Sequence, residues 1–191
     1  MFSMPPVTQA LIFANVAVFL AEGILGDGLT SLLALWPLGP QFIPWQVLTY
    51  GFVHAGFAHL LFNMFALYMF GSDIERVWGT RRYLIYYLVC VLAAAVTQLI
   101  VAGLTGAYAP TVGASGGVFG LLIAFAVLFP RRMIMPLFPP IPMRAPVFVA
   151  VFGALEFLFG VTGSMAGVAH FAHLGGLAGG YLLMKYWHAR R

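Results

Sequence analysis

Six apolar stretches, near residues 7–25, 55–73, 82–103, 115–129, 146–160 and 168–187, leave this chain few ways to fold. A helix that spans a hydrocarbon core of about 30 Å needs about 20 mostly apolar residues. Only 7% of the 191 residues are charged, against about 25% in a typical soluble domain, and mean hydropathy is +0.98. The expected class is all-α: a polytopic membrane protein of six transmembrane helices, forming one domain over residues 1–191. The first stretch lacks a basic flank and is too long for the apolar part of a signal peptide, so it reads as a retained helix. A net charge of +4 without a basic cluster points to the lipid bilayer and its anionic headgroups as partner, and away from nucleic acid. Cys90 is the single cysteine, which excludes a disulfide or a cysteine-based zinc site within one chain.

The nine Lys and Arg fall on one side of this arrangement. Arg76, Arg81 and Arg82 separate the second and third stretches; Arg131, Arg132 and Arg144 separate the fourth and fifth. Lys185, Arg190 and Arg191 close the chain, and the other three connections hold neither residue type. By the positive-inside rule both termini are expected in the cytoplasm. The fourth helix, fifteen residues and about 22 Å long, is too short to cross. Arg131 and Arg132 pin its lower end, so its upper end begins below the outer surface and the connection Gly103–Ala114 dips in to meet it. Irregular backbone survives at that depth only against protein or a wet cavity. The first connection, Gly26–Gly56, carries Trp36, Pro37, Pro40, Phe42, Pro44 and Trp45, with Asp27 its one charged residue. It reads as an aromatic belt, as a structure lying in the outer leaflet, or as both.

Polar groups in such stretches are costly, and they mark function. Residues 113–120 read Gly-Ala-Ser-Gly-Gly-Val-Phe-Gly and residues 172–176 read Ala-His-Leu-Gly-Gly. Serines in membrane helices commonly bond back to a carbonyl of the preceding turn. Here Gly113, Gly116, Gly117 and Gly120 permit a tight turn and close approach around Ser115, at a helix start with free N–H groups. His173 shares a helical face with Gly176 and Gly180, so glycine-to-glycine packing of the fourth and sixth helices would carry it towards Ser115. His59 and Asn63 lie one turn apart on the second helix; with the Ser115 N–H they could form an oxyanion hole, or alternatively a polar clamp between helices. His54 and His170, nearer the surface, are expected at interfacial or supporting positions. Glu156, near the outer end of the fifth helix, is expected to face solvent or serve structure, the alternative being that it faces the cavity and orients water or His173.

Other chemistries open to polar groups in apolar helices fail by inventory. Leu60 follows His59, so no His-Glu-x-x-His zinc motif exists. The two Asp residues, Asp27 and Asp73, lie in a loop and at a helix end, and Lys185 sits at the far end of the sixth helix from Ser115. A metal or haem protein using His54, His59, His170 and His173 would lack a carboxylate or thiolate shell and leave the glycine-flanked Ser115 unexplained. No cofactor is therefore expected.

Over roughly residues 45–184 the sequence resembles the rhomboid family of intramembrane serine proteases. The resemblance rests on Gly113-Ala114-Ser115-Gly116, on Ala172, His173, Gly176 and Gly180, and on His54, His59 and Asn63. It implies a compact six-helix bundle with a short central fourth helix. It further implies Ser115 as nucleophile and His173 as base, in a dyad without a third carboxylate, acting on transmembrane-helix protein substrates. Two positions depart from the family pattern. Gln46 follows Trp45 where many members have arginine, and Phe119 stands where many have a tyrosine stacked on the catalytic histidine, so it could stack but not hydrogen-bond. The expected setting is a bacterial inner membrane with the site opening to the outer side, and regulated intramembrane proteolysis as the process. The rival expectation is a non-catalytic rhomboid-like protein that binds transmembrane helices and releases them uncut.

Overall fold

The computed structural model describes residues 3–137, 139–165 and 167–189; Arg190 and Arg191, counted above in the basic tail, lie outside them. Among the described residues eight helices carry the fold: α1 (Pro6–Leu25), α2 (Asp27–Leu33), α3 (Gln46–Thr49), α4 (Phe57–Trp78), α5 (Thr80–Thr105), α6 (Ser115–Leu128), α7 (Ala145–Thr162) and α8 (His170–Ala189). A polytopic helical membrane bundle is thus the class. All six expected long helices are present, with α4 running on to Trp78 and α5 to Thr105. Among the described residues α1, α4, α5 and α7 are long and apolar enough to cross a membrane, while α6 is an apolar helix of only 14 residues.

Three features depart from expectation. The first connection carries two short helices, α2 and α3, on either side of the Pro37–Pro44 run, where none was expected. A two-residue antiparallel ladder, β1 (Met133–Ile134) with β2 (Met143–Arg144), joins α6 to α7 where no strand was expected. Within α4, residues Leu67–Gly71 widen into a π-helical turn. A Cβ on Gly71 would strike the Tyr83 hydroxyl, so this glycine lets α4 and α5 close together.

Local chemistry sets the helix limits. Pro5 and Pro6 open α1, where proline's missing N–H costs nothing. Gly79, at φ +77°, turns the chain between α4 and α5, a conformation with little tolerance for a side chain. The buried Glu75 carboxylate accepts hydrogen bonds from Val7 N (2.9 Å), Thr8 N (2.7 Å) and Thr8 Oγ1 (2.8 Å). A negative charge at a helix N-terminus complements the helix dipole, so α4 clips the foot of α1.

The centre of the bundle is the short α6, most of whose residues are buried. On α5, the buried Tyr86, Tyr87, Cys90, Val91 and Ala94 face α6 and α8, and Tyr86 Oη donates to Gly120 O at 2.7 Å. Glycines make that contact intimate. A Cβ on Gly116 would lie 2.5 Å from Ala94 Cβ and one on Gly117 2.5 Å from Tyr87, while one on Gly175 would strike Thr97. The connection from α5 to α6 dips in and finds its hydrogen bonds in the first connection. Leu35 and Thr111 exchange backbone bonds of 3.0 and 2.9 Å, and Gly113 N donates to Tyr50 O at 2.9 Å. Irregular backbone at this depth is thus satisfied by protein.

The basic connections gather at one end. Arg132 lies 3.6 Å and Arg76 3.2 Å from Asp73. The Arg82 guanidinium sits 4.4 Å from the centre of the Trp187 ring. The first turns of α6 and α8, with Ser115 and His173, occupy the opposite end.

Candidate active site

Ser115 is the first residue of α6, so its own N–H and those of Gly116 and Gly117 have no partner within the helix. Gly113 sets the approach. Its φ of +121° favours glycine, and a Cβ there would lie 2.7 Å from His59 Cε1 and Nε2. The α6–α8 crossing is closer still. A Cβ on Gly176 would run into the carbonyl of Gly116, and one on Gly120 into Cys90, with Gly176 O at 3.2 Å. Contrary to the expectation from its helical face, Gly180 does not join this seam; it packs on Tyr86 and Cys90 of α5. The α8 glycines that sequence reading passed over, Gly175 and Gly179, face Thr97 and Ala93 of the same helix.

This packing places His173 Nε2 2.7 Å from Ser115 Oγ. Phe119, one turn along α6, stacks on the imidazole with ring centres 4.4 Å apart and planes 5° from parallel. The stack presses the ring into one plane, as steric support without a hydroxyl. Ser115, His173, His59 and Asn63 line one cavity of about 510 Å³, together with Gln98 of α5 and Val168 of the connection before α8. Gln98 was not singled out in the sequence, because a lone amide in a long apolar helix carries no positional signature.

Asn63 is buried and donates one amide hydrogen to His59 O at 3.0 Å. An amide nitrogen has two donors, so the second is available to the cavity. His54 packs edge-on against His59, with ring centres 5.0 Å apart. It is buried, in the connection before α4, and its Nδ1 meets Phe52 O at 3.3 Å. Burial first and the neighbouring His59 second push the His54 pKa down to about 4, so its ring is neutral at physiological pH.

Glu156 stands beside His173, the placement that sequence reading held as its alternative. Its carboxylate does not face solvent. Oε2 lies 2.8 Å from His173 Nδ1 and 2.7 Å from His170 Nδ1. A carboxylate therefore does stand with two of the histidines, and the three ligand-type atoms fall within 4.8 Å of one another. Ligands around a tetrahedral zinc sit about 3.3 Å apart, given bonds of about 2.0–2.1 Å. The observed Nδ1–Oε2 separations are shorter and have the length of hydrogen bonds.

Gln46 answers the question raised by the missing arginine. The side chain is fully buried. Its Oε1 accepts from Trp36 N (3.3 Å) and Ile43 N (3.1 Å), and its Nε2 reaches Gln41 O at 3.2 Å. A neutral amide thus ties the first connection together with both donors and acceptor in use. Gln46→Ala is expected to destabilise the fold by about 1–3 kcal/mol, the cost of leaving buried partners unsatisfied. That is a fall of several degrees in Tm at about 2–4 °C per kcal/mol, measurable by thermal unfolding in detergent.

The profile of the Rhomboid domain matches residues 41–190. Over 139 residues the chain is 34% identical to rhomboid protease GluP of Bacillus subtilis, a stretch that is 72% of this chain and 25% of that protein. Over 141 residues it is 30% identical to YdcA of the same organism, a candidate rhomboid protease, covering 73% of this chain and 65% of the relative. The chain thus spans a quarter of the first relative and just under two thirds of the second. A profile match running from the first connection through α8, over the whole glycine-packed α5–α6–α8 centre, places this chain in the rhomboid family.

Proposed function

We propose that this protein is an intramembrane serine endopeptidase whose nucleophile is Ser115 and whose general base is His173. The observation that carries the reading is the 2.7 Å contact between His173 Nε2 and Ser115 Oγ on the wall of a cavity large enough for a peptide segment. A neutral imidazole accepts the serine proton as Oγ attacks a substrate carbonyl. The Ser115 N–H, the free Asn63 amide hydrogen and the His59 ring lie round the same cavity and would stabilise the oxyanion. His173 then protonates the leaving amine, and water releases the acyl-enzyme by the same route in reverse. Gly113, Gly116 and Gly176 serve by permitting the close approach; Phe119 and His54 support His173 and His59.

The substrates in this reading are transmembrane helices that unwind locally to expose a carbonyl, so helix-breaking residues and a small residue near the cut are favoured. In this reading the chain crosses six times, and the clustered basic residues support a bacterial inner membrane with both termini in the cytoplasm. The cavity then opens to the outer side, which supplies the water. A serine-directed fluorophosphonate tests the assignment. Wild-type protein is expected to be labelled and Ser115→Ala unlabelled. Folded wild type that takes no label would overturn the reading in favour of a protein that binds helices without cutting them.

A further inference from the structure

We propose that Glu156 is a positioning residue for His173, making the site a Ser115–His173–Glu156 chain with His170 as the counter-ion of its carboxylate. The inference rests on the Ser115–His173 reading and extends it to a group on a third helix. Sequence reading weighed Glu156 as orienting water or His173 but favoured a solvent-facing or structural role, and the resemblance implied a dyad. The geometry points elsewhere. Glu156 Oε2 stands 2.8 Å from His173 Nδ1, opposite the nitrogen that meets Ser115 Oγ.

The donor and acceptor inventory fixes the proton positions. An ionised carboxylate only accepts, so the Glu156 contact requires the His173 proton on Nδ1. Nε2 is then left with its lone pair towards the Ser115 hydroxyl, which is the tautomer a general base needs. His170 is constrained differently. Its Nδ1 meets the same Oε2 at 2.7 Å, and its Nε2 meets the Ser164 carbonyl at 3.1 Å. Both partners are acceptors, so both contacts are satisfied together by an imidazolium. A half-buried carboxylate beside buried groups is favoured when paired and hydrogen-bonded, and His170 supplies that pairing from the first turn of α8.

Chemistry follows from this arrangement. When Ser115 gives up its proton, it passes to His173 Nε2 and the ring becomes positive. Glu156 stabilises that charge without taking the proton, and the bond reverses its gain when His173 hands the proton to the leaving amine. Because Glu156 belongs to α7 while the two histidines belong to α8, the contact that orients the base depends on the packing of one helix on the other.

Kinetics on full-length protein with a single-span substrate test the role, using Glu156→Gln, Glu156→Ala and Glu156→Asp. The Gln and Ala variants are expected to lower kcat by about a hundredfold to ten-thousandfold, within the span known for carboxylates of serine protease sites. KM should stay within about threefold, and Glu156→Asp, which keeps the charge, should recover at least about tenfold over Glu156→Ala. An unchanged kcat in Glu156→Ala, or losses that follow Tm and KM instead, would overturn the proposal. Nitrogen NMR of 15N-histidine-labelled wild type is the second measurement and needs no variant. His173 protonated at Nδ1 supports the proposal, and His173 protonated at Nε2 overturns it. A wild type that fails to label at Ser115 would instead sink the parent reading, so the two failures are separable.

Discussion

Ser115→Ala is expected to end cleavage of a single-span membrane substrate, lowering kcat by about a million-fold, as loss of the nucleophile does in serine proteases. His173→Ala is expected to fall to a similar level, because a hydroxyl without its base is a poor nucleophile at neutral pH. The double variant should be no worse than either single one. The two side chains act as one unit through the 2.7 Å bond, and such losses do not add. Removal of one hydroxyl from a half-buried position deletes a single hydrogen bond, a net change of about 1 kcal/mol, so Tm should hardly move. Fragment mapping by mass spectrometry after incubation in detergent or liposomes reads the result. Matching fragments from Ser115→Ala would remove the serine from the mechanism.

Gly176→Ala is expected to damage fold and activity together. The added methyl would occupy the place of the Gly116 carbonyl, and backbone on both sides leaves no rotamer to move. Overpacking in a tight core costs about 1–3 kcal/mol or more, here relieved only by parting α6 from α8. That movement separates Ser115 from His173. The expected readout is a Tm drop of about 2–4 °C per kcal/mol and cleavage reduced beyond what the remaining folded fraction explains. Two substitutions serve as contrasts. Gly153→Ala meets only Leu177 Cδ1 at 3.6 Å, an ordinary contact, and Gly23→Ala meets nothing within 4 Å. Both should leave Tm near or slightly above wild type, since alanine is favoured over glycine in a helix by up to about 1 kcal/mol. Equal behaviour of all three variants would contradict the glycine seam.

What could be read in advance depended on whether the signal was local. Helix positions follow from apolar runs punctuated by Pro6, Gly79 and the basic connections, and those are properties of neighbouring residues. The approach of Ser115 to His173 was also within reach, because Gly116, Gly120 and Gly176 are small at spacings that put two helix faces together. Glu156 was not. One carboxylate among Phe and Leu looks the same whether it meets water or an imidazole, and only the crossing of α7 over α8 decides. Gln46 was opaque for a related reason. Its partners at Trp36, Gln41 and Ile43 come from a connection whose path exists only after folding. Gly180 misled because an ideal helical wheel assigns a face but not which of two neighbouring helices lies there.

The amide at the hub of the first connection has a practical corollary. An arginine in that place would put a charge into a site that is fully buried here and would require a paired anion. Gln46 carries no charge for salt to screen, so concentrated sodium chloride should leave this segment seated. Urea, which competes for the same carbonyl and N–H partners, is the solute expected to loosen it first.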